Sequence, residues 1–243
     1  MPLIALISDI HGNIDALNAV IADIKSQNVE EIYCLGDVVG YGGAPGECVR
    51  SVMENCVGTV MGNHDEMAVL GVIIAPERVA APLRAAREEL TPKEKRWLTE
   101  LPLRLDVQGV TLVHSSLETP RKWNYIHNEE DARAHFKQQK TRICFVGHTH
   151  VPLIARYAAS SGVNCSTPDT QIIDLKKRAL FVINVGSIGQ PRDDDPRASY
   201  GLFETEKLHF QIRRVPYDIA KAQARIREAG LPERNADRLA TGA

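Results

Sequence analysis

Five times within the first 150 residues a short apolar run stops at a side chain that can bind a metal ion. Leu3–Ile7 runs into Asp9-Ile10-His11, and residues 32–35 run into Gly36-Asp37. Residues 56–60 lead to Gly62-Asn63-His64-Asp65, Val110–Val113 to His114, and Ile143–Val146 to Gly147-His148-Thr149-His150. Taken alone, the tetrapeptide 62–65 reads equally well as a plain turn. Gly and Asn tolerate positive φ, but a turn gains nothing from the adjacent His. Taken together the endings are much more restrictive. In a parallel α/β sheet, ligands and catalytic groups gather beyond the carboxyl ends of the strands, so five such endings point to one site.

The rest of the pattern fits that architecture. Leu3–Ile7 is continuously apolar, as expected for a strand covered on both faces. Ile14, Leu17, Ile21 and Ile24 then recur at helical spacing, with Asn13 as the cap and an end before Val29. Further strands are expected at 32–35 and 56–60, with a helix at 45–54 between them. The loop Gly40-Tyr41-Gly42-Gly43 either lets backbone approach a ligand or is a flexible turn. Residues 66–100 read as a helical insertion lying over the site, with an ordinary packing layer as the alternative. Within them Thr91-Pro92-Lys93-Glu94 combines an N-cap, a Pro at the first helical position and a capping-box Glu. A hairpin is expected from 103–107 and 110–114 through Gln108-Gly109, a helix at 128–138, and short strands at 153–157, 171–175, 180–184, 200–204 and 208–215. Lys176-Lys177-Arg178 and Thr205-Glu206-Lys207 sit where hairpin turns belong. A last helix at 217–229 precedes a polar tail expected to fray. The first half is thus βα-like and the second hairpin-like, which two sheets packed between helices reconcile in one domain spanning residues 1–243.

Composition sets limits on partners. At 243 residues, 44% of them hydrophobic and 25% charged, core size is not limiting. A net charge of -2 and a pI near 6.5 leave no basic face for duplex nucleic acid. Small anions remain open as substrates, because a metal ion supplies positive charge locally. Five cysteines without a Cys-x-x-Cys pair indicate neither a disulfide framework nor a zinc ribbon. The expectation is a cytoplasmic protein. The first apolar run is too short for a secretory signal, and none approaches the ~20 residues of a membrane span.

Two divalent ions ~3.5–4 Å apart need one carboxylate that bridges them, with oxygen and imidazole ligands on either side. Asp9, His11, Asp37, Asn63, His114, His148 and His150 supply that inventory with none left over. Each Asp-x-His or His-x-His pair alone is weak, whereas the ordered set is strong. The series Asp-x-His, Gly-Asp, Gly-Asn-His-Asp, a lone His and Gly-His-x-His resembles the calcineurin-like metallophosphoesterase superfamily, and within it the compact bacterial members. The resemblance implies a four-layer α/β/β/α sandwich of two mixed sheets flanked by helices, with a dimetal site at the strand ends. By the same resemblance Asp9, His11 and His150 bind one metal, Asn63, His114 and His148 the other, and Asp37 bridges them. His64 is then no ligand and serves the substrate.

The sequence departs from the protein serine/threonine phosphatases. They extend the second block to Gly-Asp-x-x-Asp-Arg-Gly and place Arg before Gly-Asn-His. Here the second block is Gly36-Asp37-Val38-Val39-Gly40-Tyr41-Gly42, and Met61 holds the Arg position. Late in the chain, Asn184-Val185-Gly186-Ser187 resembles the Asn-x-Gly-Ser loop of the compact members. Its Gly186 and Ser187 N–H groups would approach an anion, and Arg192 would fork onto phosphate. The alternative is a tight turn with Arg192 paired to Asp193, Asp194 or Asp195.

The expected activity is hydrolysis of a phosphate ester by a metal-bridging hydroxide, with Asn63 orienting the phosphate or a metal and His64 protonating the leaving alkoxide. Manganese is the first expectation, with iron, zinc, nickel and cobalt open, and no organic cofactor is implied. With Met61 in the Arg position, a phosphodiester or nucleotide is favoured over a phosphomonoester or phosphoprotein. A metal-bearing scaffold without chemistry is the least favoured reading, and a homo-oligomer is left open. His127, His135 and His209 are expected as surface or core residues, Cys34 and Cys144 as small hydrophobes. Ser115 and Ser116 lack a base of their own.

Overall fold

The computed structural model of the chain describes residues 3–70, 73–176 and 178–243. Leu3–Ile7 forms strand β1, and Ile4 to Ile7 are fully buried. Helix α1 (Ile14–Ser26) opens on Asn13, whose side chain accepts the Ala16 N–H. Then come β2 (Glu31–Cys34), α2 (Pro45–Asn55) and β3 (Gly58–Thr59), and the three strands pair in parallel. The run 56–60 is strand over two residues only, although Val57 and Val60 still donate to the Ile32 and Cys34 carbonyls.

Three helices follow, α3 (Asn63–Leu70), α4 (Glu77–Glu89) and α5 (Pro92–Glu100). The capping box of α5 is complete: Thr91 accepts the Glu94 N–H, and the Glu94 carboxylate accepts the Thr91 N–H. Val79, Leu83, Ala86, Leu90 and Leu98 bury in the same apolar cluster as Leu17, Val20, Val49 and Val52 of α1 and α2.

Strands β4 (Arg104–Val107) and β5 (Val110–Val113) make the expected hairpin. Gln108 and Gly109 both have positive φ, 48° and 80°. That is the two-residue turn whose twist matches its strands. Helix α6 (Glu129–Phe136), capped by Asn128, and strand β6 (Ile143–Val146) lead into β7 (Leu153–Ala158), β8 (Gly162–Ser166), β9 (Ile173–Asp174), β10 (Leu180–Asn184), β11 (Ala198–Glu204) and β12 (His209–Val215). Helices α7 (Ile219–Glu228) and α8 (Glu233–Asp237) and a 3-10 turn at Arg238–Ala240 end the chain.

The strands form two mixed sheets, in the orders β3-β2-β1-β11-β12-β9 and β4-β5-β6-β10-β7-β8. Alternation along single strands sorts the layers. Ile4 and Leu6 of β1 meet Ile143 and Phe145 of β6 in the cluster between the sheets, where Phe145 lies 5.3 Å from Phe203 and 5.5 Å from Phe210. Ala5 and Ile7 face outward to α1 and α2, and Cys144 and Val146 outward to α6. The result is the four-layer α/β/β/α sandwich. Among the described residues no helix is long and apolar enough to cross a membrane.

Three expectations change. Strand β8 had no sequence signal: it is a short edge strand of mixed polarity that pairs only with β7. Strands β9 and β10 lie in different sheets, so they do not form the hairpin expected around residues 176–178, of which Lys177 lies outside the described residues. The polar tail does not fray, because Leu231, Ala236 and Leu239 bury against Ala222 and Ile226 of α7.

Candidate metal centre

The loops after β1, β2, β5 and β6 and the first turn of α3 bring Asp9, His11, Asp37, Asn63, His64, His114, His148 and His150 together. Parallel pairing of β1 with β2 and of β5 with β6 puts these loops at one edge of each sheet. Cross-links then fix them: the Asp9 N–H bonds the Gly36 carbonyl, the His11 N–H the Asp37 carbonyl, and the His148 N–H crosses between the sheets to the Asp9 carboxylate at 2.9 Å. Asp9, His11, Asp37, His148 and His150 all have left-handed backbone, with φ of 53°, 50°, 54°, 70° and 62°. Such a conformation costs a residue with a Cβ about 1–2 kcal/mol. Close packing also leaves no room at two glycines: a Cβ at Gly62 would overlap the Asp37 carboxylate, and one at Gly147 would overlap Ser8 and Asp9.

Four of the imidazoles are each oriented by a main-chain carbonyl. Nδ1 of His11, His114 and His150 lies 3.0, 2.7 and 2.6 Å from the carbonyls of Val39, Leu35 and Gln190. For His148 it is Nε2 that lies 2.8 Å from the Trp123 carbonyl. A carbonyl only accepts, so each of these nitrogens carries a proton, and in the neutral ring the other presents a lone pair to the site. The lone pairs converge on one another. His11 Nε2 lies 3.0 Å from His150 Nε2, while Asp9 Oδ1 lies 3.2 Å from His150 Nε2 and has no hydrogen-bond partner. Asp37 Oδ2 stands between the two halves, 3.6 Å from His11 Nε2 and 3.3 Å from His114 Nε2. His114 Nε2 is in turn 3.2 Å from Asn63 Oδ1. Buried acceptors facing acceptors at hydrogen-bond distance call for cations between them. The ligating atoms of Asp9, His11 and His150, and those of Asp37, His114 and His148, lie within 4.8 Å of one another in each group. The donor set therefore fits two divalent ions.

The charges agree. Burial alone would raise the Asp9 and Asp37 carboxyls, but the surrounding imidazoles more than reverse it and hold both well below the usual carboxylate range. Burial would lower His114, yet the Asp37 carboxylate pushes it up to about 9. In the absence of an ion, a proton on His114 therefore answers part of the negative charge, and a metal would displace it. Burial pulls His148 down to about 4 and His150 to about 3. His64 is also drawn down to about 3 by burial; its N–H bonds Asp37 Oδ1 at 2.8 Å, and its Nδ1 is buried without a partner.

Supporting residues appear that sequence reasoning did not assign. The Asp65 carboxylate accepts the N–H groups of Asp37, Val38, Val39 and Gly62 and so fixes two ligand loops at once. Ser8 donates to Asp9 Oδ2 at 2.6 Å, and Tyr125 stacks on His148 with ring centroids 4.1 Å apart. Asp65 was visible as the fourth residue of its block, whereas the other two had no signal. The loop after Asn184 braces the site from behind: the Ser187 hydroxyl donates to the Asp9 carbonyl, and Asn184 Nδ2 donates to Gly147 and Thr149. The Gly186 N–H is taken by Asn184 Oδ1, so it is not free for an anion. Arg192 does not pair with its acidic neighbours, since Asp193 binds Arg214 and Asp195 binds Arg197. Its guanidinium lies over the Tyr41 ring, 5.7 Å from the centroid, and that ring is 4.7 Å from both His11 and His64. His135 is a core residue whose Nδ1 accepts the Leu117 N–H, His209 lies beside Glu204, and His127 stacks on Tyr125, one ring removed from His148.

Residues 3–208 match the calcineurin-like phosphoesterase superfamily domain. An uncharacterized protein of Methanocaldococcus jannaschii is 36% identical over 249 residues, covering 99% of this chain and 98% of its own. The crystal structure of a metallophosphoesterase from Sphaerobacter thermophilus superposes with a TM-score of 0.90 at 40% identity, over 100% of this chain and 99% of that one. A hypothetical protein from Pyrococcus horikoshii shares the fold at a TM-score of 0.81 and 21% identity, with coverage of 100% and 99%.

Proposed function

The chain belongs to the calcineurin-like phosphoesterase superfamily, and on that premise we propose that it is a dimetal-dependent phosphoesterase. One observation carries the reading: the imidazole and carboxylate acceptors of Asp9, His11, Asp37, His114, His148 and His150 converge with their protons turned away, onto main-chain carbonyls. Asp9, His11 and His150 would hold one ion, Asn63, His114 and His148 the other, with Asp37 shared. Bound there, two ions supply positive charge to phosphoryl oxygens and acidify a water toward neutrality.

The chain's own groups do the rest. Asp65 keeps the Asp37 and Gly62 loops at fixed separation, so Asn63 meets the phosphoryl group from a rigid first turn of α3. His64 stands at the same turn with a free ring nitrogen, which would take up a proton from water once a phosphoryl group brings negative charge beside it and would pass that proton to the departing alkoxide. Tyr41 and Tyr125 flank the cluster, their rings against His64 and His148. The favoured substrates are small phosphodiesters or nucleotides, because Met61 provides no cation beside Asn63. A monoesterase is the second reading, supported by the Arg192 guanidinium one aromatic ring away from His11.

The test is metal content per purified chain, followed by hydrolysis of bis-nitrophenyl phosphate and the nitrophenyl monoester with added manganese. Diester kcat/KM at least comparable to that of the monoester, together with poor turnover of phosphopeptides, is expected. A chain that binds no divalent ion, or that hydrolyses neither ester, overturns the reading.

A further inference from the structure

The end of the chain brings a second arginine to the rim of the site. Arg238, just beyond α8, reaches the Gln190 side-chain oxygen at 3.2 Å, the same oxygen that Arg192 holds at 2.9 Å. Two guanidinium groups thus share one neutral acceptor. Arg238 spends its Nε–H on the main-chain oxygen of Ala243, and Arg192 also donates to the Tyr41 hydroxyl at 3.3 Å. Among the described residues no ion pair joins either to an Asp or Glu: Asp193 and Asp195 are held by Arg214 and Arg197, and Asp194 is exposed to solvent. Arg192 Nε and the Gln190 amide nitrogen are buried donors without a partner, and Gln190 is only 2% exposed. Arg78 and Arg234 add to the same positive field. The repulsion is already felt, because burial and Arg192 push Arg238 down to about 10.

Unpaired buried donors and adjacent like charges are an unfavourable arrangement that a multiply charged anion would relieve. Planar forks suit the oxygens of a phosphate better than ammonium groups would. Tyr41 joins this spot to the metal centre, with its hydroxyl on Arg192 and its ring against His11 and His64. We propose that Arg192, Arg238 and the Gln190 amide form a second anion site on the rim of the metal centre, which holds a phosphate group of the substrate other than the one being cleaved. The proposal rests on the phosphoesterase reading and narrows its substrate class to esters that carry a second phosphate, such as bisphosphates and phosphorylated nucleotides.

The test uses the manganese-loaded full-length protein and non-hydrolysable ligands. Alkylphosphonates and α,ω-alkanebisphosphonates of matched chain length are titrated by calorimetry, across a series of lengths. At the length that spans the two sites, the bisphosphonate should bind at least about tenfold more tightly than its partner, as expected for a charge-assisted bidentate contact. That advantage should fall toward parity in Arg192→Ala and in Arg238→Ala, and Arg238→Lys should keep part of it. Each variant is read as a ratio of two ligands on one preparation, and Arg238→Gln replaces Arg238→Ala if the latter does not fold. No advantage at any length, or an advantage unchanged in the arginine variants, overturns the proposal. An arginine-dependent advantage without hydrolysis of any ester would leave the rim site standing and remove the phosphoesterase reading. Hydrolysis without the advantage would do the reverse, and if neither ligand class binds, both fall.

Discussion

At the scale of single residues, Asp37 and His64 divide the work of the site. Asp37 Oδ2 lies between His11 and His114, so it faces both ion positions. Asp37→Asn is expected to lower the affinity of both ions together, read as metal per chain after dialysis. Retention of two tightly held ions would show that Asp37 is not shared. His64 is buried and drawn down to about 3, so its ring is neutral at pH 7 until a phosphoryl group brings negative charge beside it. A general acid contributes ~10²–10⁴ in rate, and only where the leaving group needs the proton. His64→Ala should therefore slow alkyl esters far more than nitrophenyl esters while both ions stay bound. Equal losses on the two substrates would make His64 a positioning group for phosphate or metal instead.

At the scale of elements, Asn13 links a helix to the site. Its side chain caps α1 through the Ala16 N–H and also donates to the Gly189 carbonyl, in the loop that braces Asp9. Asn13→Ala should cost about 1 kcal/mol for the cap, a fall in Tm of about 2–4 °C, and more if the Gly189 bond matters. An unchanged Tm would show that the cap is replaced by water. Asn13 also shows what local sequence can reveal: β1, α1, α2, α5 and the β4–β5 hairpin were legible because period, cap and turn residues sit within a few positions of one another. β8 was not, being a short edge strand of mixed polarity supported only by β7, and of the strand expected at 171–175 only the two residues of β9 remain, held at a sheet edge by β12. Nothing local says which sheet a strand will join, and so the crossing from β9 to β10 was missed. The ligands of the site were legible because metal binding restricts residue type. Most of what orients them was not, because the carbonyls of Leu35, Val39, Trp123 and Gln190 could belong to any residue.

For the whole molecule, pH bears on stability through a buried histidine outside the metal cluster. His135 is fully buried, and burial lowers it to about 4 from 6.5. The unfolded chain takes up that proton first, so the contribution is complete above pH 6.5 and is lost as pH falls from 6.5 toward 4, by up to about 3 kcal/mol. Denaturant midpoints across that range should fall for the wild type, with a slope shallower by up to one proton in His135→Asn; identical slopes would contradict the assignment. The left-handed backbone at five of the ligands works against stability at every pH. Under selection for heat resistance alone, with activity unwatched, these positions are where substitutions to Asn or Gly would accumulate. Chelated His11→Asn, free of the lone-pair contact with His150, should melt no lower than the wild type, and added manganese should then rescue the wild type more than the variant. A lineage in which the ligands erode while the fold gains heat tolerance is thus one this architecture makes easy to reach, and its descendants would keep the sandwich after losing the chemistry.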